Sequence, residues 1–230
     1  TGYSQSYGGS DRDIIIVKFD SSGEEVWTKT LNGSSSDHGH SVIEASDEGF
    51  VVTGYSQSYG GALPDIILVK FNSSGEEIWT KTLNGGPSDY GYSIIEASDG
   101  SFVVTGTSLS YGGALDYDII LVKFNSSGEE IWTKTSNGDS HEKGYSVIEV
   151  SDGGFVVTGE SQSYGGSDRD IILVKFDFSG EEMWTKTLNG SSTDWGDSVI
   201  EASDGGFVVT GRSESYGGSN RDIILVKFNS

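Results

Sequence analysis

Asp65-Ile66-Ile67-Leu68-Val69-Lys70-Phe71 is the stretch on which the fold turns. The aliphatic run from Ile66 to Val69 is too short for a helix of its own and rich in β-branched residues, so it reads as a β-strand. Side chains alternate between the two faces of a strand. An unbroken apolar run therefore puts apolar groups on both faces, and neither face can meet water. A sandwich strand would show a polar outer face, which this pattern excludes. A sheet covered by a neighbour on each side, as in the blades of a β-propeller, accommodates it.

The segment recurs. Asp-Ile-Ile-x-Val-Lys-Phe starts at Asp13, Asp65, Asp118, Asp170 and Asp222. Thr-Gly pairs at Thr1, Thr53, Thr105, Thr158 and Thr210 are spaced by 52, 52, 53 and 52 residues, the extra one falling near Leu115-Asp116-Tyr117. Working outward, each unit offers four strands, typified by Ser41 to Ala45, Gly49 to Ser56, Asp65 to Asn72 and Glu77 to Leu83. The turn after the first strand carries Ser-Asp-Glu/Gly-Gly, and the turn after the third carries Asn/Asp-Ser-Ser-Gly; both suit tight hairpins with a positive φ. The fourth strand alternates (Ile78, Trp79, Thr80, Lys81, Thr82), as a partly solvated outer strand does. No window has helical apolar spacing. The expected fold is all-β: a β-propeller of four-stranded antiparallel blades with a 52-residue repeat. About five blades, four full repeats plus a partial one, occupy 1–230 as one domain or as a segment of a longer array. A linear β-solenoid is the alternative, but its coils are shorter and lack three hairpin turns per unit.

The segments Phe50-Val51-Val52-Thr53-Gly54, Asp65 to Phe71 and Asn72-Ser73-Ser74-Gly75 resemble the SBBP-type bacterial and archaeal β-propeller repeat. The likeness is one of strand grammar and spans essentially the whole chain. The Gly-x-x-x-Trp spacing (Gly23 to Trp27, Gly75 to Trp79, Gly128 to Trp132, Gly180 to Trp184) is similar to the tryptophan-docking repeat of quinoprotein-type propellers. That resemblance implies a blade-packing role for Trp27, Trp79, Trp132 and Trp184, with each indole wedged between blades. No quinone-binding constellation accompanies it. Repeats of this kind also occur in secreted and surface proteins, often without catalysis.

The net charge of −21 makes nucleic acid and anionic membrane surfaces poor partners. With no cysteine, thiolate chemistry and a disulfide framework are absent. Apolar runs no longer than Ile14-Ile15-Ile16-Val17 exclude a transmembrane helix. No signal peptide is visible, and the chain opens on Thr1, as expected of a mature product or of part of something longer.

Two groups of loop residues are candidate ligand contacts. Tyr7, Tyr59, Tyr111, Tyr164 and Tyr216 occupy equivalent places after the second strand, in Ser-x-Ser-Tyr-Gly-Gly. Ahead of the first strand the copies differ most: Asp37-His38-Gly39-His40, Asp89-Tyr90-Gly91-Tyr92, Glu142-Lys143-Gly144-Tyr145 and Asp194-Trp195-Gly196-Asp197. Of these, Asp37, Asp89, Tyr90, Asp194 and Trp195 offer the aromatic faces and carboxylates that a sugar ring uses. Packing against the next blade is the simpler account of a tyrosine present in every copy.

Asp11-Arg12-Asp13 and Asp168-Arg169-Asp170 suggest calcium but lack the ligand progression that gathers six oxygens. No cofactor is expected. His38, His40 and His141 are too dispersed for catalytic zinc and read as exposed loop histidines. Glu24-Glu25 and its equivalents fall on the tight-turn side, as solvated pairs. Asn32, Asn72, Asn125 and Asn189 stand in Asn-x-Ser sequons and are candidate glycan acceptors on an exported chain.

Near-identity of the units argues against an enzyme, because an active site assembles different residues in different roles. The first unit lacks its first strand and the last lacks its fourth, so both ends present open edges, which invite pairing with other molecules. The expected function is a non-enzymatic extracellular or cell-surface scaffold for protein interaction or self-assembly. Multivalent lectin-like glycan binding is the alternative, and a polysaccharide-processing enzyme stands behind both.

Overall fold

The computed structural model describes residues 1–6, 11–112, 116–166, 168–218 and 220–229. Among them are 18 strands and no helix, in five antiparallel sheets whose strands follow chain order. The first sheet holds β1 (Gly2–Ser4), β2 (Asp13–Phe19) and β3 (Glu25–Leu31). The second holds β4 (Asp37–Glu44), β5 (Phe50–Ser56), β6 (Asp65–Phe71) and β7 (Glu77–Leu83). The third repeats this with β8 (Asp89–Glu96), β9 (Phe102–Ser108), β10 (Asp118–Phe124) and β11 (Glu130–Ser136). The fourth comprises β12 (Glu142–Glu149), β13 (Phe155–Ser161), β14 (Asp170–Phe176) and β15 (Glu182–Leu188). The fifth has β16 (Asp194–Glu201), β17 (Phe207–Ser213) and β18 (Asp222–Phe228).

The apolar third strand is covered on both faces: every residue of β6 and β10 is buried. Ile66 and Leu68 pack with Val104, Ile120, Val122 and Phe124 of the following sheet, while Ile67 and Val69 join Ile14 and Ile16 of the preceding one. Each such aliphatic side chain withdrawn from water contributes up to about 1.5–3 kcal/mol. The tryptophans stand at these same boundaries. Trp27 meets Phe50 of the next sheet at 5.7 Å between ring centroids, and Trp79–Phe102, Trp132–Phe155 and Trp184–Phe207 repeat the contact.

Polar latches set the sheets against one another. Ser46 donates its amide and hydroxyl to Glu96 at 2.7 Å each, and Ser98–Glu149 and Ser151–Glu201 repeat the pair. Lys70 binds Asp47 of its own first turn at 2.5 Å and lies over the Phe102 ring of the next sheet at 5.5 Å. In that turn Glu48 adopts φ 64° where the other copies have Gly100, Gly153 and Gly205, also at positive φ.

One boundary departs from the sequence reading by more than a single residue. The first strand begins four residues earlier than Ser41, at Asp37, so Asp37 to His40 lie in a strand and not in a loop. His38 and Gly39 pair with Tyr55 and Gly54, and the register then shifts between Gly39 and Ser41. A bulge therefore carries the strand past the point where its Gly-rich pattern stops looking like one.

Candidate functional site

The bulge builds the site. In β4, β8, β12 and β16 the registers pair His38 with Tyr55, Tyr90 with Thr107, Lys143 with Glu160 and Trp195 with Arg212. His40, Tyr92, Tyr145 and Asp197 fall at the shift, as the extra residue of each bulge. Glycine is required on both sides of this pairing. A Cβ on Gly106 would stand 1.8 Å from the Tyr90 carbonyl oxygen, and one on Gly91 would stand 2.6 Å from Thr53 Oγ1 of the preceding sheet.

At these positions the near-identical copies carry different chemistry, and the fold draws them together across sheet boundaries. Tyr3 of the first sheet meets His38 of the second at 4.2 Å between ring centroids, and His38 stacks on Tyr55 at 4.6 Å. Tyr55 reaches Tyr90 of the third sheet at 4.9 Å, and His40 stacks on Tyr92 at 5.2 Å. Tyr92 in turn contacts Tyr145 of the fourth sheet at 5.6 Å, while Tyr90, Tyr117 and His141 continue along the side. Beyond Tyr145 the ribbon becomes ionic. Glu160 is buried, with Lys143 Nζ and Arg169 Nη1 at 3.5 and 3.6 Å from its Oε1. On the fifth sheet the guanidiniums of Arg212 and Arg221 cover the Trp195 ring, Arg212 forking onto Asp197 at 2.9 and 3.0 Å.

Two buried polar atoms on this ribbon have no hydrogen-bond partner, His38 Nε2 and Glu160 Oε2. Burial, with the Arg12 charge and His40 adding to it, depresses His38 to about 4, so its imidazole is neutral near pH 7. Burial also lowers His40, against the raising effect of the Gly91 carbonyl bonded to its Nδ1 at 2.8 Å. Tyr92 and Tyr145 are both raised, chiefly by burial; the nearby Tyr90 hydroxyl adds to the first and the Glu160 carboxylate to the second.

The residues anticipated from sequence divide between this ribbon and the framework. Tyr90 and Trp195 belong to the ribbon. Tyr59, Tyr164 and Tyr216 donate their hydroxyls to the carbonyls of Asn32, Asn137 and Asn189, and Tyr59, Tyr111 and Tyr164 pack on the apolar clusters. Tyr7 lies outside the described residues. Asp37, Asp89 and Asp194 are fully buried. Asp37 accepts from Ser56 Oγ at 2.5 Å and Ser58 Oγ at 2.7 Å, and Asp89 accepts from Ser108 Oγ at 2.6 Å, which ties the start of the first strand to the end of the second. Burial raises Asp89 above its ordinary range, as it does Glu142 at the equivalent place.

Asp13 and Asp170 accept the amides of Gly33 and Gly190 at 3.1 and 2.8 Å. Among the described residues no three His, Asp or Glu side chains cluster as metal ligands would. The sequon asparagines Asn32 and Asn189 are exposed, whereas the side-chain oxygens of Asn72 and Asn125 are engaged in their own turns. His38, read from sequence as an exposed loop residue, is buried between two rings. Tyr92 and Tyr145 lie in the divergent segments read from sequence without being chosen from them, and with Tyr3, Tyr55 and Glu160, which were not singled out, they carried one usable signal. They stand where otherwise matching copies disagree.

No family model matches the chain. It is 24% identical over 163 residues to the regulatory protein FlaEY of Caulobacter vibrioides, a match that covers 61% of this chain and 17% of that protein. Among solved structures, a protein of unknown function from Bacteroides caccae superposes with a TM-score of 0.55 at 12% identity, over 91% of this chain and 72% of that one. A thermostable family-43 glycoside hydrolase gives 0.52 at 14% identity, over 94% and 81% respectively. At these identities the likeness is one of fold alone.

Proposed function

We propose that the chain is a non-enzymatic, propeller-type repeat scaffold of the cell surface or exterior, which holds a partner across the inner-strand ribbon. The propeller reading is supported by five sheets packed in chain order, with the first strands β4, β8, β12 and β16 each in contact with the next. The function rests on one observation: the residues at and opposite the bulge, where matching units diverge in chemistry, meet across sheet boundaries along one ribbon. Framework positions keep their chemistry because every unit packs alike. Divergence on a shared surface serves recognition of something asymmetric. The depressed basicity of His38 and the pairing of Glu160 with two cations suit binding better than proton transfer.

A photo-cross-linking residue in place of Tyr92, compared with one in place of Tyr59, tests where partners bind in extracts and culture medium of the source cells. Adducts should concentrate at 92. Equal labelling at both sites would remove the ribbon as the recognition surface. Turnover of a polysaccharide, abolished by Glu160→Gln, would overturn the non-enzymatic reading.

A second reading, self-assembly, is favoured by the outermost sheets. Ile223 and Leu225 are 89% and 73% exposed, whereas their equivalents Ile66 and Leu68 are 0% exposed. Light scattering over a concentration series tests it. Mass that grows with concentration and collapses in Ile223→Lys, Leu225→Lys supports assembly, and a monomer throughout rejects it.

A further inference from the structure

We infer that the aromatic half of the ribbon binds a neutral oligosaccharide chain, with Tyr90 and Tyr92 as the stacking platform and Glu160 as a hydrogen-bond acceptor beside it. The inference rests on the scaffold reading and names its ligand class. Four observations carry it.

The ribbon rings take no part in the apolar core. The clusters between sheets enlist Tyr59, Tyr111 and Tyr164, but none of Tyr55, Tyr90, Tyr92 or Tyr145. Half-buried rings outside the core, each within 6.4 Å of the next between centroids, leave amphipathic surface for a ligand that is itself amphipathic. A pyranose has that character, with C–H faces for the rings and hydroxyls for the polar atoms at their edges.

The second observation is the unpartnered polar atoms. His38 is 7% exposed and Glu160 2%, and each keeps one acceptor-capable atom, Nε2 and Oε2, without a hydrogen bond. A buried acceptor left unmatched costs about 1–3 kcal/mol, which a ligand hydroxyl would relieve. Neutral imidazole and carboxylate are acceptors that hydroxyl groups can satisfy without any charge on the ligand.

The third is charge. Lys143 and Arg169 face Glu160, Arg212 is forked onto Asp197, and Arg221 is bound to Glu214 at 2.8 Å. These four cations thus face carboxylates, Arg12 lies over the Tyr3 ring at 4.9 Å, and a chain of net charge −21 repels a polyanion. The fourth is shape. The contacts run from Tyr3 to Tyr145 through four successive sheets, an extended platform suited to a linear chain of sugars and not to one small molecule.

Affinity electrophoresis of the purified chain in gels containing soluble xylan, glucomannan, hydroxyethylcellulose, amylose or, as a polyanion, alginate provides the test. Retardation by at least one neutral polysaccharide is expected, with none by alginate. Tyr90→Ala, Tyr92→Ala should weaken it at least about tenfold, as loss of two stacking rings does. Tyr59→Ala should leave it unchanged. Glu160→Gln, which keeps the shape, should weaken it severalfold, and Tyr92→Phe, which keeps the ring, should retain most of it; circular dichroism melts verify that each variant is folded. No retardation by any neutral polymer, retardation by alginate alone, or undiminished retardation of the folded Tyr90→Ala, Tyr92→Ala variant would overturn the inference. Selective binding of a proline-rich peptide on the same rings, with no glycan bound, overturns it but leaves the scaffold reading standing. Hydrolysis of a bound glycan does the reverse.

Discussion

Glu48 is the only non-glycine residue with a positive φ among those described, at 64°. Its Cβ crowds the following carbonyl in that region, at a cost of about 1–2 kcal/mol that glycine escapes. Glycine loses part of this advantage through the greater freedom of its unfolded chain. Glu48→Gly is therefore expected to stabilise the protein by about 0.5–1 kcal/mol, read from denaturant midpoints at unchanged slope. A lower midpoint would mean that the Glu48 side chain does something the turn geometry does not reveal. His38 sets a pH dependence. Its folded pKa of about 4 lies below the ordinary 6.5, so between these values the unfolded chain binds more protons than the folded one. The stabilisation is complete above about 6.5 and is lost as pH falls towards 4, with an amplitude on the order of 2–3 kcal/mol. Asp89, Asp170 and Glu142, all raised by burial, act in the opposite sense across part of this window. The quantity to measure is thus the difference between the wild type and His38→Phe, which keeps a ring between Tyr3 and Tyr55 but cannot titrate. Wild-type stability minus that of the variant should fall as pH drops from 7 to 4.5, and a constant value would show that His38 keeps its ordinary titration in the fold.

The first strand of each unit is the element that turns a repeated framework into a site. Its bulge needs Gly106 opposite Gly91, where an added Cβ would lie 1.8 Å from the Tyr90 carbonyl oxygen. Backbone cannot yield as a side chain does, so Gly106→Ala is expected to cost about 2–4 kcal/mol. Gly166→Ala, whose Cβ would meet nothing closer than Asp170 Oδ2 at 3.9 Å, should cost less than about 1 kcal/mol. Thermal melts of the two variants decide the matter, and similar losses would mean that the bulge is pliable. The same element marks how far the sequence could be read. The third strand was legible because burial on both faces writes an unbroken apolar run, as in Ile66 to Val69. The fourth strand, Glu77 to Leu83, was legible from its alternation. Asp37 to His40 was not, because a polar residue, two histidines and a glycine resemble a loop. Pairing with Gly54 and Tyr55 makes it a strand, and that contact is tertiary. Tyr59 and Tyr164, for which packing against the next blade was the simpler reading, pack on the apolar clusters and donate their hydroxyls to backbone carbonyls.

Over the whole molecule, stability follows from how many neighbours each sheet has. Units that touch only adjacent units have stabilities close to a sum of intrinsic and interface contributions. The second, third and fourth sheets are each flanked on both sides, and β6 and β10 are buried throughout. In β18 the same sequence leaves Asp222, Ile223, Leu225 and Lys227 exposed, and in β2 Phe19 is 58% exposed where Phe71 is 2%. Hydrogen exchange should therefore rank the third strands, with β10 and β6 slowest, β14 next and β18 fastest, although their sequences are nearly the same. Because the ranking comes from interfaces, it should respond to a change at one of them. Glu149→Gln weakens the latch that receives Ser98 at 2.7 Å, between the third and fourth sheets. It should speed exchange in β10 and β14, which flank that boundary, and leave β2 unaffected. Equal acceleration in every sheet would instead mean that the chain opens as one cooperative unit. The ribbon, which crosses the same boundaries, would then be held by the whole molecule and not by each neighbouring pair of sheets.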